Sequence, residues 1–173
     1  RKLRVALREK NLPYEHVHID PAKKPDYFLE LSPLGRIPVL KDGDLVLADS
    51  SIICTYLDNK YPANSLHPLE PVALAKVQWF EKFADYELAP LLTFTVFRQR
   101  VLAGLRGGQT DEAAVQTALK EKIPPLFDYL EKAVKDKEFI VADAFSIADV
   151  AIAVQIANLG YGGETVDESR WPT

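Results

Sequence analysis

The chain has 173 residues, of which 47% are hydrophobic and 27% charged, and this composition excludes a disordered, collagen-like or low-complexity protein. Its formal net charge of −4 comes from 21 Lys and Arg against 25 Asp and Glu, so it lacks the basic footprint of a nucleic-acid-binding protein. No apolar run approaches the roughly 20 residues that span a bilayer and no signal peptide is visible, so we expect a cytoplasmic protein without a membrane segment.

Helix and strand signals alternate at the start of the chain. Apolar residues at helical spacing, beginning with Leu3 and Leu7, predict a helix across residues 1–11. Residues 14–20 alternate and are rich in aromatic and β-branched side chains, which predicts a β-strand. Residues 24–31 predict a short second helix.

A hairpin and a third helix follow. Two short apolar runs, residues 37–40 and 45–47, flank an Asp-Gly turn signal and predict a β-hairpin. An acidic and hydroxyl-bearing cluster at residues 49–51 precedes a helically spaced apolar stripe, which predicts the start of a helix. The order α-β-α-β-β-α predicts a three-stranded sheet. Such a sheet needs a strand ahead of Arg1 to make the first helix a crossover between parallel strands, so we expect a first strand that is missing from this chain.

A proline-rich stretch separates two halves of different composition. We predict an α/β domain over residues 1–62, a linker over residues 63–71 and an all-helical domain over residues 72–173, which we expect to be truncated here. Apolar periodicity predicts three helices in the second domain, across residues 72–101, 113–135 and 147–159.

Three segments carry a resemblance to a known family. They are Ser-Pro-Leu-Gly-Arg-Ile-Pro-Val-Leu at residues 32–40, Leu-Ala-Asp-Ser-Ser-Ile-Ile at residues 47–53 and Phe-Ser-Ile-Ala-Asp-Val at residues 145–150. In this order, with helices between them, they resemble a glutathione S-transferase over residues 1–171. The resemblance implies an α+β thioredoxin-like N-terminal domain followed by an all-α domain.

Asp49 and Ser50 have two interpretations. An acidic residue and a serine at this position cap a helix, which contributes about 1 kcal/mol. A helix N-terminus with free N–H groups and a hydroxyl also binds a carboxylate. The resemblance implies the second role in addition to the first: the γ-glutamyl carboxylate of glutathione lies at this N-terminus, and Asp49 binds the amino group.

The loop before the hairpin supplies the other candidate residues. A proline at position 38 can open a strand with an ordinary trans bond, since only about 5–6% of X-Pro bonds in folded proteins are cis. The resemblance implies a cis Ile37-Pro38 bond, which would turn the Ile37 N–H and C=O toward an extended peptide ligand. Arg36 is either a solvated loop charge or a partner for the glycyl carboxylate. The predicted glutathione-binding residues are therefore Arg36, Ile37, Pro38, Asp49 and Ser50.

Other chemistry-bearing residues are expected to be structural. Ser146 and Asp149 have the spacing of a helix capping box. Cys54, the single cysteine, lies in an apolar helical stripe and is expected to be buried, and it excludes an internal disulfide. His16 and His18 are too few for a metal site, so we expect no metal.

The resemblance implies glutathione conjugation. A Ser, Tyr or Cys side chain would lower the pKa of the glutathione thiol, and the thiolate would attack a small hydrophobic electrophile. We expect that side chain before Arg1, so no catalytic residue is assigned within this chain. Glutathione would be the co-substrate and the protein a homodimer, with no nucleic-acid or membrane partner. Two alternatives remain open: a non-catalytic binding or interaction protein of the same fold, and a glutathione-dependent thiol transferase or isomerase.

Overall fold

The computed structural model describes residues 1–141 and 143–172. By their internal contacts these residues divide into two compact units, one spanning Arg1–His67 and the other beginning at Pro68. No helix in the described ranges is long and apolar enough to cross a membrane.

Unit 1 contains three helices and one hairpin, in the order α1 (Lys2–Glu9), α2 (Asp26–Leu31), β1 (Val39–Asp42), β2 (Leu45–Ala48) and α3 (Ser50–Lys60). The strands are antiparallel, with Val39 opposite Ala48 and Asp42 opposite Leu45. Gly43 has a φ of +61° in the turn, a conformation that glycine adopts without strain. The predicted hairpin and the three predicted helices are thereby confirmed.

The strand predicted at residues 14–20 is absent, and that prediction is wrong. The sheet formed by the described residues has two strands, β1 and β2, so residues 14–20 have no neighbouring strand with which to exchange backbone hydrogen bonds. Their side chains are mostly exposed, with Val17 at 61%. Alternating aromatic and β-branched residues fit a strand only where a paired and half-buried surface exists for them.

Unit 2 is helical. Helix α4 (Pro71–Phe83) runs directly into a π-helical segment, Ala84–Ala103, and helix α5 (Glu112–Thr117) runs through a π-helical turn, Ala118–Lys122, into α6 (Ile123–Val134). Pro71 lies in the first turn of α4, where a missing N–H has no cost, and Glu70 caps that helix. The last helix, α7 (Ile147–Tyr161), packs on the π-helical segment.

The start of α7 is held by the predicted capping box. The Ser146 hydroxyl accepts from the Ala148 N–H at 3.3 Å, and the Asp149 carboxylate accepts from the Ser146 N–H at 2.8 Å. The second oxygen of Asp149 accepts from the Ile140 N–H at 2.9 Å, which ties the preceding loop to the helix. The capping-box prediction is confirmed.

Candidate functional site

The candidate site lies where β2 ends and α3 begins. Asp49 joins the two elements with φ +93° and ψ 124°, a backbone conformation that costs a non-glycine residue about 1–3 kcal/mol. Its N–H donates to the Pro38 carbonyl at 3.3 Å. This bond connects the two sequence segments in which candidate residues were predicted.

Asp49 is the N-cap of α3. One of its carboxylate oxygens accepts from the Ser51 N–H at 2.9 Å and from the Ile52 N–H at 3.5 Å. The expectation that the first amide groups of this helix are free is therefore only partly right, because the protein satisfies two of them itself. The N–H and hydroxyl of Ser50 have no partner in the described part of the chain, and they are the groups that remain for an anion.

The loop that carries Arg36 is fixed by Ser32, which is 1% exposed. The Ser32 hydroxyl accepts from the Arg36 N–H at 2.9 Å and donates to the Arg36 carbonyl at 3.0 Å. The Gly35 N–H donates to the Ser32 carbonyl at 2.7 Å, and Gly35 has a φ of +63°, which an L side chain rarely adopts. The backbone around Arg36 is thus held by hydrogen bonds while the Arg36 side chain is left exposed.

Arg36 and Ile37 are exposed to solvent. The Ile37-Pro38 bond is cis, as the resemblance implies, and Ile37 is 47% exposed. Within the described ranges, neither the Arg36 guanidinium nor the Ile37 N–H and C=O has a hydrogen-bond partner. These groups are available to a ligand.

Lys24 is a candidate that the sequence did not single out. A Cβ added at Gly35 would lie 3.4 Å from the Lys24 Nζ, so the missing side chain of Gly35 lets this ammonium approach the loop just before Arg36. Lys24 is half-buried, and no described residue pairs with its ammonium group. In the sequence, Lys24 belongs to a pair of lysines before a proline, a pattern that indicates only an ordinary surface charge.

Other residues near the start of α3 are structural. The buried Lys2 donates to the Ser51 hydroxyl at 3.1 Å, which ties α1 to the first turn of α3. Cys54 is 2% exposed, which confirms the prediction that it is buried. In residues 1–141 and 143–172, no group of three or more His, Cys, Asp or Glu could hold a metal ion.

Comparison with known proteins identifies the family. Residues 1–65 match the family model of the glutathione S-transferase N-terminal domain, and residues 97–171 match that of the C-terminal domain. A glutathione S-transferase from Triticum aestivum is 31% identical, in an alignment that covers 99% of this chain and 78% of that protein. The chain belongs to the glutathione S-transferase family.

Solved structures of glutathione S-transferases have the same fold. The crystal structure of the enzyme from Rhodospirillum rubrum F11 matches with a TM-score of 0.90 and 27% identity, over 99% of this chain and 77% of that one. A glutathione S-transferase-I bound with lactoylglutathione matches with a TM-score of 0.83 and 26% identity, over 99% of this chain and 82% of that one. The predicted fold class, a thioredoxin-like domain followed by a helical domain, is confirmed.

Proposed function

We propose that this glutathione S-transferase family member binds glutathione in unit 1 and conjugates its thiolate to a small hydrophobic electrophile. The observation that carries the proposal is the junction at Asp49, where a capped helix start leaves the Ser50 N–H and hydroxyl without a protein partner. A hydroxyl and an amide N–H at a helix N-terminus suit a carboxylate, because the helix dipole adds partial positive charge there.

Each end of the tripeptide has a chemical counterpart in the site. The γ-glutamyl carboxylate would bind Ser50, and its ammonium group would pair with the carboxylate of Asp49. The peptide backbone of the ligand would pair with the Ile37 N–H and C=O beside Pro38, as an added strand does. The glycyl carboxylate would meet the guanidinium of Arg36, with the Lys24 ammonium as a second cation.

The chemical step requires a donor to the sulfur. We propose that a Ser, Tyr or Cys side chain outside these 173 residues donates a hydrogen bond to the glutathione sulfur and so favours the thiolate. The thiol proton passes to solvent, and the thiolate donates an electron pair to the electrophilic carbon of the second substrate. The new C–S bond forms as that carbon either expels a leaving group with its bonding electron pair or, at an activated double bond, passes the π electrons on to an atom that takes up a proton. The family membership and the lactoylglutathione complex of a structural relative support glutathione as the co-substrate.

We propose further that the protein is a cytoplasmic homodimer. An exposed apolar ridge on α4 and the π-helical segment supports pairing, since Val72, Trp79 and Tyr86 recur every seven residues and are each at least 59% exposed. The Trp79 indole N–H donates to the Tyr129 hydroxyl at 2.8 Å, so its polar atom is satisfied without a partner chain. Sedimentation velocity tests this: Trp79→Glu should give monomers, while Leu105→Glu, at an exposed leucine outside the ridge, should not. A wild-type monomer would contradict it.

Calorimetric titration with reduced glutathione tests the binding site. Ser50→Ala removes a hydroxyl with no protein partner, so it should weaken binding about fivefold to tenfold while leaving the unfolding midpoint unchanged. Asp49→Asn keeps the helix cap, because Asn caps as well as Asp, but removes the charge that pairs with the ligand ammonium, so it should also weaken binding. Asp44→Asn, on the exposed hairpin turn, is the matched control.

A second titration separates the two ends of the ligand. Arg36→Gln should weaken binding of glutathione by about tenfold but leave γ-glutamylcysteine, which lacks the glycyl carboxylate, nearly unaffected. Equal losses for both ligands would remove Arg36 from the site. No binding of glutathione at millimolar concentration to the intact protein would refute the proposed function and favour a non-catalytic role for this family member.

A further inference from the structure

One buried carboxylate holds the segment that follows α3. Asp58 lies near the end of α3 and is 8% exposed. One of its oxygens lies 2.5 Å from the Lys10 Nζ, at the end of α1. The other accepts from the Leu66 N–H at 3.0 Å and from the Nδ1 of His67. Asp58 therefore binds both α1 and the segment at residues 61–67.

Lys10 completes this cluster, which we call the Asp58 clamp (Lys10, Asp58 and His67). The Lys10 ammonium donates to the carbonyls of Ala63 at 3.0 Å and Asn64 at 3.3 Å, so the same ion pair also binds the middle of the segment. The side chains of Lys10 and Asp58 are 1% and 7% exposed. Apart from this clamp, the segment has one described side-chain hydrogen bond to α1, from Asn64 to the Glu9 carbonyl.

The clamp depends on the charge of Asp58. Burial disfavours an ionised carboxyl, but hydrogen bonds from His67 and Lys10 outweigh burial and hold the pKa of Asp58 below its usual value. A buried ion pair adds little net stability, whereas removing one partner is costly because the other charge remains buried without compensation. Loss of the Asp58 charge therefore leaves the buried Lys10 ammonium without a counter-ion. Opening of residues 61–67 would expose this ammonium to water.

His67 contributes through one nitrogen only. An ionised carboxylate only accepts hydrogen bonds, so the imidazole carries its proton on Nδ1 and donates to Asp58. Its Nε2 is buried and has no partner among the residues that the structure describes. An asparagine at position 67 could donate the same hydrogen bond to Asp58 through its side-chain amide. It has no counterpart of the His67 Nε2, which is buried without a partner in the described chain.

We propose that the Asp58 clamp keeps residues 61–67 attached to α1 and α3 within unit 1. Release of the clamp detaches this segment from the rest of unit 1 and exposes the chain after Lys60. The clamp is a conformational device and does not depend on whether the protein binds glutathione.

Hydrogen exchange of the Leu66 amide, measured by NMR on the full-length protein, tests the clamp directly. In Asp58→Asn, Leu66 exchange should accelerate by at least about a hundredfold, and trypsin should cleave after Lys60 more quickly. The matched control is Asp42→Asn. Asp42 also lies 2.5 Å from a lysine, Lys60, but in an exposed pair, so exchange at Leu66 should stay within about threefold of wild type.

Three further variants test the proposal even if Asp58→Asn unfolds. Lys10→Met combined with Asp58→Leu removes both buried charges, so unit 1 should stay folded while Leu66 still exchanges much faster than the hairpin amides. His67→Asn should keep the wild-type exchange rate at Leu66, whereas His67→Leu should raise it by about tenfold. Leu66 exchange within threefold of wild type in a folded Asp58→Asn protein, or no faster than the hairpin amides in the double variant, would overturn the proposal.

Discussion

Replacing Asp149 by alanine should destabilise the helical unit more than an ordinary helix-cap substitution. Its carboxylate accepts three hydrogen bonds: from the Ser146 N–H at 2.8 Å, from the Ser146 hydroxyl at 2.9 Å and from the Ile140 N–H at 2.9 Å. Loss of a cap costs about 1 kcal/mol, and each donor left without a partner in a partly buried place costs about 1–3 kcal/mol. We therefore expect Asp149→Ala to lower the free energy of unfolding by about 3 kcal/mol.

Urea unfolding, followed by circular dichroism, measures this difference in the free energy of unfolding. It is given by the shift in the urea midpoint, provided that the dependence of the free energy on urea concentration has the same slope in both proteins. Ser146→Ala alone should cost about 1 kcal/mol, the usual cost of losing an N-cap side chain. The double variant should cost less than the sum of the two single variants, since they share a hydrogen bond. A loss below 1 kcal/mol for Asp149→Ala would refute the reasoning, as it would mean that water replaces all three bonds.

Two more predictions concern the helical unit. Gly162→Ala should lower the free energy of unfolding by about 1–3 kcal/mol, because the new Cβ would lie 2.7 Å from the Cγ1 of the buried Val96. Thermal unfolding measures this loss of stability. Recovery of stability in the Gly162→Ala, Val96→Ala double variant would show that the contact with Val96 is its cause. Hydrogen bonds from Arg100 first, and from Gln116, lower the pKa of Glu112 to about 2, so the stability that this carboxylate contributes is complete above its ordinary pKa of 4.5 and is lost as pH falls through 2. The urea midpoint of Glu112→Gln should therefore depend less on pH than that of wild type between about pH 5 and 2, and parallel curves would contradict this prediction.

Local signals predicted the helices and the hairpin well because their causes lie within a few residues. The Asp-Gly turn, the stripe around Ile53 and Leu57, and the capping box at Ser146 each act through neighbours in sequence. The strand predicted at residues 14–20 failed because a strand requires a partner, and the sequence does not state which backbone lies beside it. The sequence predicted one helix across residues 72–101 but did not indicate that Ala84–Ala103 is π-helical.

The residues of the candidate site were proposed from the sequence, whereas their hydrogen bonding is visible only in the structure. Arg36, Ile37, Pro38, Asp49 and Ser50 lie in the two segments that the Asp49–Pro38 hydrogen bond connects. The sequence does not reveal that Asp49 has a positive φ and caps α3 by accepting from the Ser51 and Ile52 N–H groups. Lys24 escaped notice because its position depends on the space above Gly35, a contact between residues eleven apart.

The capping role of Asp49 changes what sequence variation among relatives would mean. Selection for a folded α3 is enough to retain a capping side chain at position 49, whether or not any ligand is bound. Nothing in the described structure requires a hydroxyl at position 50. If Ser50 binds the ligand as proposed, a relative that lost this ligand should therefore lose the serine at position 50 before the capping residue at position 49.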